Sequence, residues 1–220
     1  MDQKAKHLKA MVDCGIVPVI RARSADEAMK VVDAIMAGGV NSIEITMTVP
    51  GAIGVMERVA RDMGDEVLLG AGTVLDAETA RISILSGAEF IVSPGFNEAL
   101  IRICKRYNKI AIPGAMTPTE ILEAWELGAD MVKVFPVSNL GGPDYIKAIK
   151  APLPQIPLVP TGGVNLNNAG AFIKAGSAVL AVGSSLVDKR AVSEGRFEVL
   201  KEKAGQFVEE VKKARAEMGK

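Results

Sequence analysis

Lys133 stands in the run Ala129-Asp130-Met131-Val132-Lys133-Val134-Phe135-Pro136, with apolar neighbours on both sides. The run is short and hydrophobic throughout, the pattern of a parallel strand covered on both faces. A lysine in such a strand either reaches out to water or is kept inside for its chemistry. Burial disfavours the ammonium form. The neutral amine is a nucleophile toward carbonyl carbon. Glu44 has a comparable setting, between Ile43 and Ile45. If its side chain points inward it needs a partner, because an isolated buried carboxylate is costly. Lys133 is the candidate. The structural alternative is a lysine at a strand end directed to solvent.

Other chemistry is limited by what the chain lacks. Its single histidine, His7, lies in the polar opening segment, where a solvated helix residue is expected. Triads that use histidine and His-rich zinc sites have no material here. Cys14 and Cys104 are isolated, without CxxC spacing, and read as small core residues rather than a disulfide or metal pair. Catalysis therefore falls to lysine, carboxylates, hydroxyls and backbone, with no metal and no cofactor expected. The 26 basic and 26 acidic side chains cancel, which leaves no electrostatic footprint for nucleic acid or an anionic membrane. No apolar run approaches the ~18–20 residues that span a bilayer. The charged N-terminus lacks a signal-peptide core, so a cytoplasmic location is expected.

The elements that must position these residues follow a regular rhythm. Short apolar runs at 16–20, 42–46, 67–71, 89–93, 109–113, 130–135, 156–160 and 178–183 alternate with helix-period segments. Ser24-Ala-Asp-Glu27 reads as a capping box, and its helix ends at Gly38-Gly39. Thr117-Pro118-Thr119-Glu120 carries proline and an acidic residue where a first turn favours both. The tail from Glu194 to Met218 is a long amphipathic helix. A junction recurs four times, in which a helix ends in glycine and a strand begins: Gly39-Val40, Gly87-Ala88, Gly128-Ala129 and Gly176-Ser177. Glycine suits the left-handed position at a helix C-terminus. Eight such units in 220 residues match a compact (β/α)8 TIM barrel in a single α/β domain, near the lower size limit of ~200 residues. An open doubly wound sheet would carry a Gly-rich fingerprint after strand one, and Arg21-Ala-Arg-Ser is not one.

In a barrel, function gathers at the C-terminal ends of the strands. Those ends are Arg21, Glu44 with Thr46, Gly72-Thr73, Ser93-Pro94, Pro113-Gly114, Lys133 with Phe135, Thr161-Gly162-Gly163, and Gly183-Ser184. Any one of these has a plain explanation, since turns favour such residues. Thr161-Gly162-Gly163-Val164 leaves a strand and opens a helix, where free N–H groups suit an anion.

Seven of these segments, in order, resemble the KDPG/KHG aldolase family, the 2-keto-3-deoxy-6-phosphogluconate and 4-hydroxy-2-oxoglutarate aldolases. They are Val17-Pro-Val-Ile-Arg21, Ile43-Glu-Ile-Thr46, Gly70-Ala-Gly-Thr73, Phe90-Ile-Val-Ser-Pro94, Pro113-Gly-Ala-Met-Thr-Pro118, Val132-Lys-Val-Phe-Pro136 and Pro160-Thr-Gly-Gly-Val164. The resemblance covers residues 8–210. It implies a metal-free class I aldolase, usually a homotrimer, on one barrel domain over 1–220 with an N-terminal helix. The implied reaction cleaves 2-keto-3-deoxy-6-phosphogluconate to pyruvate and glyceraldehyde 3-phosphate, and extends to 4-hydroxy-2-oxoglutarate.

Position by position, the resemblance makes Lys133 the Schiff-base residue and Glu44 the general acid/base. It implies that Thr73 meets the pyruvyl carboxylate, that Pro94 and Phe135 line the pocket, and that Thr161, Gly162, Gly163 and Ser184 receive the distal phosphate or carboxylate. Thr46 and Gly183, at their strand ends, join the expected substrate-binding set. One departure stands out. Many members carry arginine two residues after the threonine of Glu-x-Thr, where this chain has Thr48. Arg21 is the natural replacement, since its planar fork holds a carboxylate bidentately. Three other readings remain: an aldolase for the 6-phosphogalactonate epimer, an isomerase or synthase using Glu44 as base with no covalent intermediate, and a non-catalytic trimeric barrel that binds a phosphorylated sugar.

Overall fold

The computed structural model describes residues 2–219. Short parallel strands alternate with helices that pack on the outside of a curled sheet. The strands are β1 (Ile16–Ile20), β2 (Ser42–Thr46), β3 (Leu68–Gly72), β4 (Phe90–Val92), β5 (Ile110–Ile112), β6 (Gly114–Ala115), β7 (Val132–Val134), β8 (Leu158–Pro160) and β9 (Leu180–Val182). The helices are α1 (Gln3–Cys14), α2 (Ala25–Ala37), α3 (Ala52–Met63), α4 (Ala77–Leu85), α5 (Glu98–Arg106), α6 (Pro118–Glu126), α7 (Pro143–Lys150), α8 (Leu166–Lys174), α9 (Lys189–Ser193) and α10 (Phe197–Met218). Hydrogen bonds order the strands as β5-β4-β3-β2-β1-β9 and as β6-β7-β8. A single parallel bridge, Thr161 to Ala181, links β8 to β9.

Two expected strands have the bounds read from sequence, and the others are shortened or moved by a residue or two. The fifth is split into β5 and β6. Pro113 stands at the break and has no N–H to give a ladder. Its carbonyl still accepts from Lys133 N at 2.9 Å.

Alternation along each strand sorts the core into two layers. Ile43, Ile45, Ile91, Val132 and Val134 face outward and pack under the helices. Val17, Val19, Phe90, Val92, Met131 and Val159 face inward and form a second cluster inside the curl. Met11 of α1 joins that inner cluster, with Leu8 packed beside it. Polar contacts hold α1 in this position. Lys4 Nζ is 2.9 Å from Asp130, and His7 Nδ1 is 3.3 Å from Glu89. His7 is thus half-buried rather than solvated, because Glu89 at the start of β4 draws it in.

The four junction glycines have φ values from 89° to 103°, the left-handed geometry expected of them. The Thr117–Glu120 capping box is complete. The one expected at Ser24 is only half formed. Ser24 Oγ accepts from Glu27 N at 3.2 Å, while the Glu27 carboxylate turns to Arg23, whose backbone N donates at 3.0 Å and whose guanidinium donates at 2.8 Å. The charged pair outcompetes a neutral amide. The expected tail helix begins only at Phe197, after the separate short α9.

Candidate active site

Lys133 pairs in register with Gly114 of β6 and Val159 of β8. Met131 faces inward and Val132 and Val134 outward, so strand geometry turns Lys133 into the inner layer. It is 5% exposed, and its Nζ lies 5.1 Å from the Phe135 ring centroid. Glu44 is turned inward by the same alternation between Ile43 and Ile45, and is 1% exposed. Among the described residues, neither of its carboxylate oxygens has a hydrogen-bond partner.

Two glycines of β3 make this arrangement possible. Gly72 is the register partner of Thr46, and Gly70 that of Glu44. A Cβ at Gly72 would overlap the Glu44 carboxylate, and one at Gly70 would overlap the Phe90 ring. Gly72 therefore provides the space into which Glu44 folds, and Gly70 the space for Phe90.

Burial sets the charge state of both groups. It depresses the Lys133 ammonium below the ordinary lysine range; Glu44 opposes the shift and Arg21 adds to it. Burial also raises the Glu44 carboxyl, against the pull of Lys133 and Arg21. The pair is driven toward a neutral amine beside a protonated acid, an available nucleophile next to a proton donor.

A cavity of about 300 Å³ opens beside Phe135. It brings together seven of the residues singled out from sequence: Arg21, Phe135, Thr161, Gly162, Gly163, Gly183 and Ser184. Gly162 and Gly163 have φ values of 89° and 81°. The carbonyls of this loop are tied back into the protein. Thr161 O accepts from Val137 N at 2.9 Å, and Gly162 O from Ser138 N at 3.3 Å. Gly163 O accepts from Asn168 Nδ2 at 2.9 Å. In a trans peptide the N–H points opposite its carbonyl. The N–H groups of Gly162, Gly163 and Val164 are thereby turned away from these anchors, and among the described residues none donates to another backbone group. Successive free N–H groups of this kind form an anion-binding concavity.

Five expected residues, Thr46, Thr73, Pro94, Glu44 and Lys133, lie outside the lining of that cavity. The Thr46 hydroxyl is committed to structure, donating to Ile20 O at 3.0 Å and accepting from Thr48 Oγ1 at 2.7 Å. Thr73 follows β3 with φ 57°, a conformation that a β-branched residue adopts only under strain. Strain of this sort is concentrated at functional positions. Pro94 packs its carbonyl against Gly114, beside Lys133 in the ladder. Glu44, like Lys133, belongs to the inner layer, and Phe135 both lines the cavity and lies beside Lys133. Sequence reasoning missed Ser185 and Lys189, which also line the cavity. The doublet Ser184-Ser185 was a visible signal. Nothing in the sequence separates Lys189 from other surface lysines.

Three comparisons bear on this site. The family model described as KDPG and KHG aldolase matches residues 8–202. The 2-dehydro-3-deoxy-phosphogluconate aldolase of Treponema pallidum is 34% identical over 182 residues, covering 83% of this chain and 86% of its own. The 2-dehydro-3-deoxy-6-phosphogalactonate aldolase of Escherichia coli is 36% identical over 172 residues, covering 78% and 83%. Among solved structures, KDPG aldolase from Legionella pneumophila, with pyruvate captured at low pH as a covalent carbinolamine intermediate, superposes with a TM-score of 0.84 at 28% identity. It covers 90% of this chain and 96% of its own.

Proposed function

The chain belongs to the KDPG and KHG aldolase family, and we propose that it cleaves its substrate through a Schiff base on Lys133 with Glu44 as proton carrier. It is a lyase of the aldolase type acting on 2-keto-3-deoxy-6-phosphogluconate, releasing pyruvate and glyceraldehyde 3-phosphate. The observation that carries the assignment of residues is the buried Lys133–Glu44 pair, with both groups shifted toward their neutral forms.

Neutral Lys133 Nζ attacks the C2 ketone and forms a carbinolamine. Glu44 gives the C2 hydroxyl a proton, water leaves, and a protonated imine remains. That cation is the electron sink. Glu44, now a carboxylate, takes the C4 hydroxyl proton directly or through one water. The C3–C4 bond breaks, its electron pair passes into the imine as an enamine, and the aldehyde departs. Protonation at C3 and hydrolysis of the imine release pyruvate and restore Lys133. General acid–base assistance of this kind contributes ~10²–10⁴-fold.

Arg21 and Thr73 hold the pyruvyl carboxylate in this reading. Arg21 is close enough to bias both Lys133 and Glu44. Pro94 and Phe135 wall the pocket, and Thr46 holds the end of β2 against β1. The loops of Thr161, Gly162, Gly163, Gly183 and Ser184 take the distal anion. Cleavage of 4-hydroxy-2-oxoglutarate follows from the same chemistry with a smaller distal group. The domain closes as a (β/α)8 barrel over 1–220, a reading supported by the Thr161–Ala181 bridge and by the inner cluster it encloses. Exposed Leu75, Ile82 and Leu85 at α4, with Met116 near α6, offer an apolar face for a homotrimer. A cytoplasmic enzyme is consistent with the finding that no helix among the described residues is long and apolar enough to cross a membrane.

Incubation with pyruvate and borohydride tests the mechanism. One pyruvyl-derived group per chain should map to Lys133, and Lys133→Met should abolish both adduct and turnover. An adduct on another lysine, or none, refutes the assignment; the absence of an adduct would return the chain to the isomerase or binding-protein readings. The 6-phosphogalactonate epimer is a second substrate reading, favoured by the 36% identity to the Escherichia coli enzyme. Parallel retro-aldol rates on both epimers decide it.

A further inference from the structure

The cavity at the distal loops contains two cations and no carboxylate among its lining residues. The cations are Arg21 and Lys189, and the other polar groups are Thr161, Ser184 and Ser185. Beside it lies a second cavity of about 410 Å³, and the two share Arg21, Val187 and Lys189. Lys189 is therefore a border residue between the distal loops and the space beyond them.

The carboxylates nearby are already claimed. Glu27, in the wall of the second cavity, is taken by Arg23 at 2.8 Å. Asp188 is taken by Lys203 at 3.0 Å and by the amides of Arg190 and Ala191, each at 3.0 Å. Glu194 pairs with Arg190 and Arg196. Lys189 and Arg21 enter no ion pair among the described residues, so their charges stand uncompensated at the cavity. Fixed charges of one sign in a concave, partly apolar site attract the opposite ion. If Arg21 holds the pyruvyl carboxylate, one cation remains for the other end.

We propose that Lys189 is a specificity-determining residue that favours a phosphate-ended substrate over a carboxylate-ended one. This rests on the aldolase reading above. A phosphate monoester carries a charge of about −1.5 to −2 near neutrality, against −1 for a carboxylate. Attraction to a point cation scales with that charge. The free N–H groups of the glycine loop fix the oxygens, and Lys189 supplies the charge preference from a flexible stem. Because Lys189 is exposed, its contribution is screened by salt.

The test compares Lys189→Ala and Lys189→Arg with the wild-type enzyme. For the phosphorylated substrate, Lys189→Ala should raise KM about tenfold with little change in kcat, the signature of lost ground-state binding. For 4-hydroxy-2-oxoglutarate the change should stay under about twofold, and Lys189→Arg should restore most of the phosphorylated activity. Raising ionic strength should raise the wild-type KM for the phosphorylated substrate more steeply than the Lys189→Ala value. In a separate arm, inorganic phosphate is titrated by phosphorus NMR line broadening, and Lys189→Ala should bind it about tenfold more weakly. Equal KM changes on both substrates, or phosphate binding unaffected by Lys189→Ala, would overturn the proposal. A wild-type protein that traps no pyruvate would instead defeat the aldolase reading, and the phosphate titration would still decide Lys189.

Discussion

Glu44→Gln should make the protein more stable and nearly inactive at once. Glu44 is 1% exposed and, among the described residues, neither oxygen has a hydrogen-bond partner. A buried polar group left unsatisfied costs ~1–3 kcal/mol, and more when charged. Glutamine keeps the shape and one unsatisfied amide but removes the ionisable group. The expected gain at alkaline pH is ~1–2 kcal/mol, taken as the difference between burying a charge and burying an amide. In a domain of this size each kcal/mol moves Tm by ~2–4 °C, so the rise should be ~2–8 °C. Its pH dependence has a definite sign. Burial raises the Glu44 pKa, so above the ordinary carboxylate range the unfolded chain loses a proton that the native state keeps. Wild-type stability therefore falls as pH rises from that range to the raised value, and levels off above it. The advantage of Glu44→Gln should vanish at acid pH and be complete above the raised value. Lys133 works the other way. Its pKa is depressed, so its contribution grows as pH climbs from the depressed value to the ordinary one. Glu44 is also the group that opposes this depression. Its removal should carry Lys133 lower still and move the acid limb of pyruvate trapping to lower pH. Calorimetric melts across this range, with kcat and borohydride trapping on the same samples, make the assay. A kcat loss of at least ~10²-fold with imine formation retained is expected. A variant that melts below wild type at every pH, or that turns over normally, would refute the reasoning and leave Glu44 a structural counter-ion.

Arg21→Ala should raise KM about tenfold for every pyruvate-yielding substrate, and Thr48→Arg in that background should recover part of the loss. A native KM would mean that the carboxylate is held elsewhere, and a loss confined to phosphorylated substrates would move Arg21 to the distal end. Gly163→Val should lower Tm as well as activity, because φ there is 81° and a Cβ would run into Ser138. Ser184→Ala is the cleaner probe of the distal loop: kcat/KM should fall more for the phosphorylated substrate than for 4-hydroxy-2-oxoglutarate at unchanged Tm, and equal losses would remove the loop from anion recognition.

What was legible in the sequence follows from local rules. Strand alternation alone turns Lys133 and Glu44 to the same interior, and at four junctions the glycine that ends a helix marks where the next strand begins. What was not legible depends on partners far along the chain. The capping box at Ser24 was misjudged because Arg23 competes for Glu27. Gly70 read only as a residue of the third strand, and Gly72 as its end. Their reason lies one strand to either side, in the Phe90 ring and the Glu44 carboxylate. The direction of the free N–H groups at Gly162–Val164 depends on carbonyl anchors supplied by Val137, Ser138 and Asn168.

These unforeseen features share a physical logic. A reactive amine needs burial, and burial is hardest for the carboxylate that must work beside it. The chain accommodates that carboxylate by leaving room for it: no Cβ at Gly72 and, among the described residues, no hydrogen-bond partner at either Glu44 oxygen. A donor placed there would favour the carboxylate form and draw the pKa of Glu44 back down. An unsatisfied acid facing a desolvated lysine is thus a defect for stability, and in the proposed mechanism it is the proton carrier. The interior clusters on both faces of the sheet allow the fold to bear it.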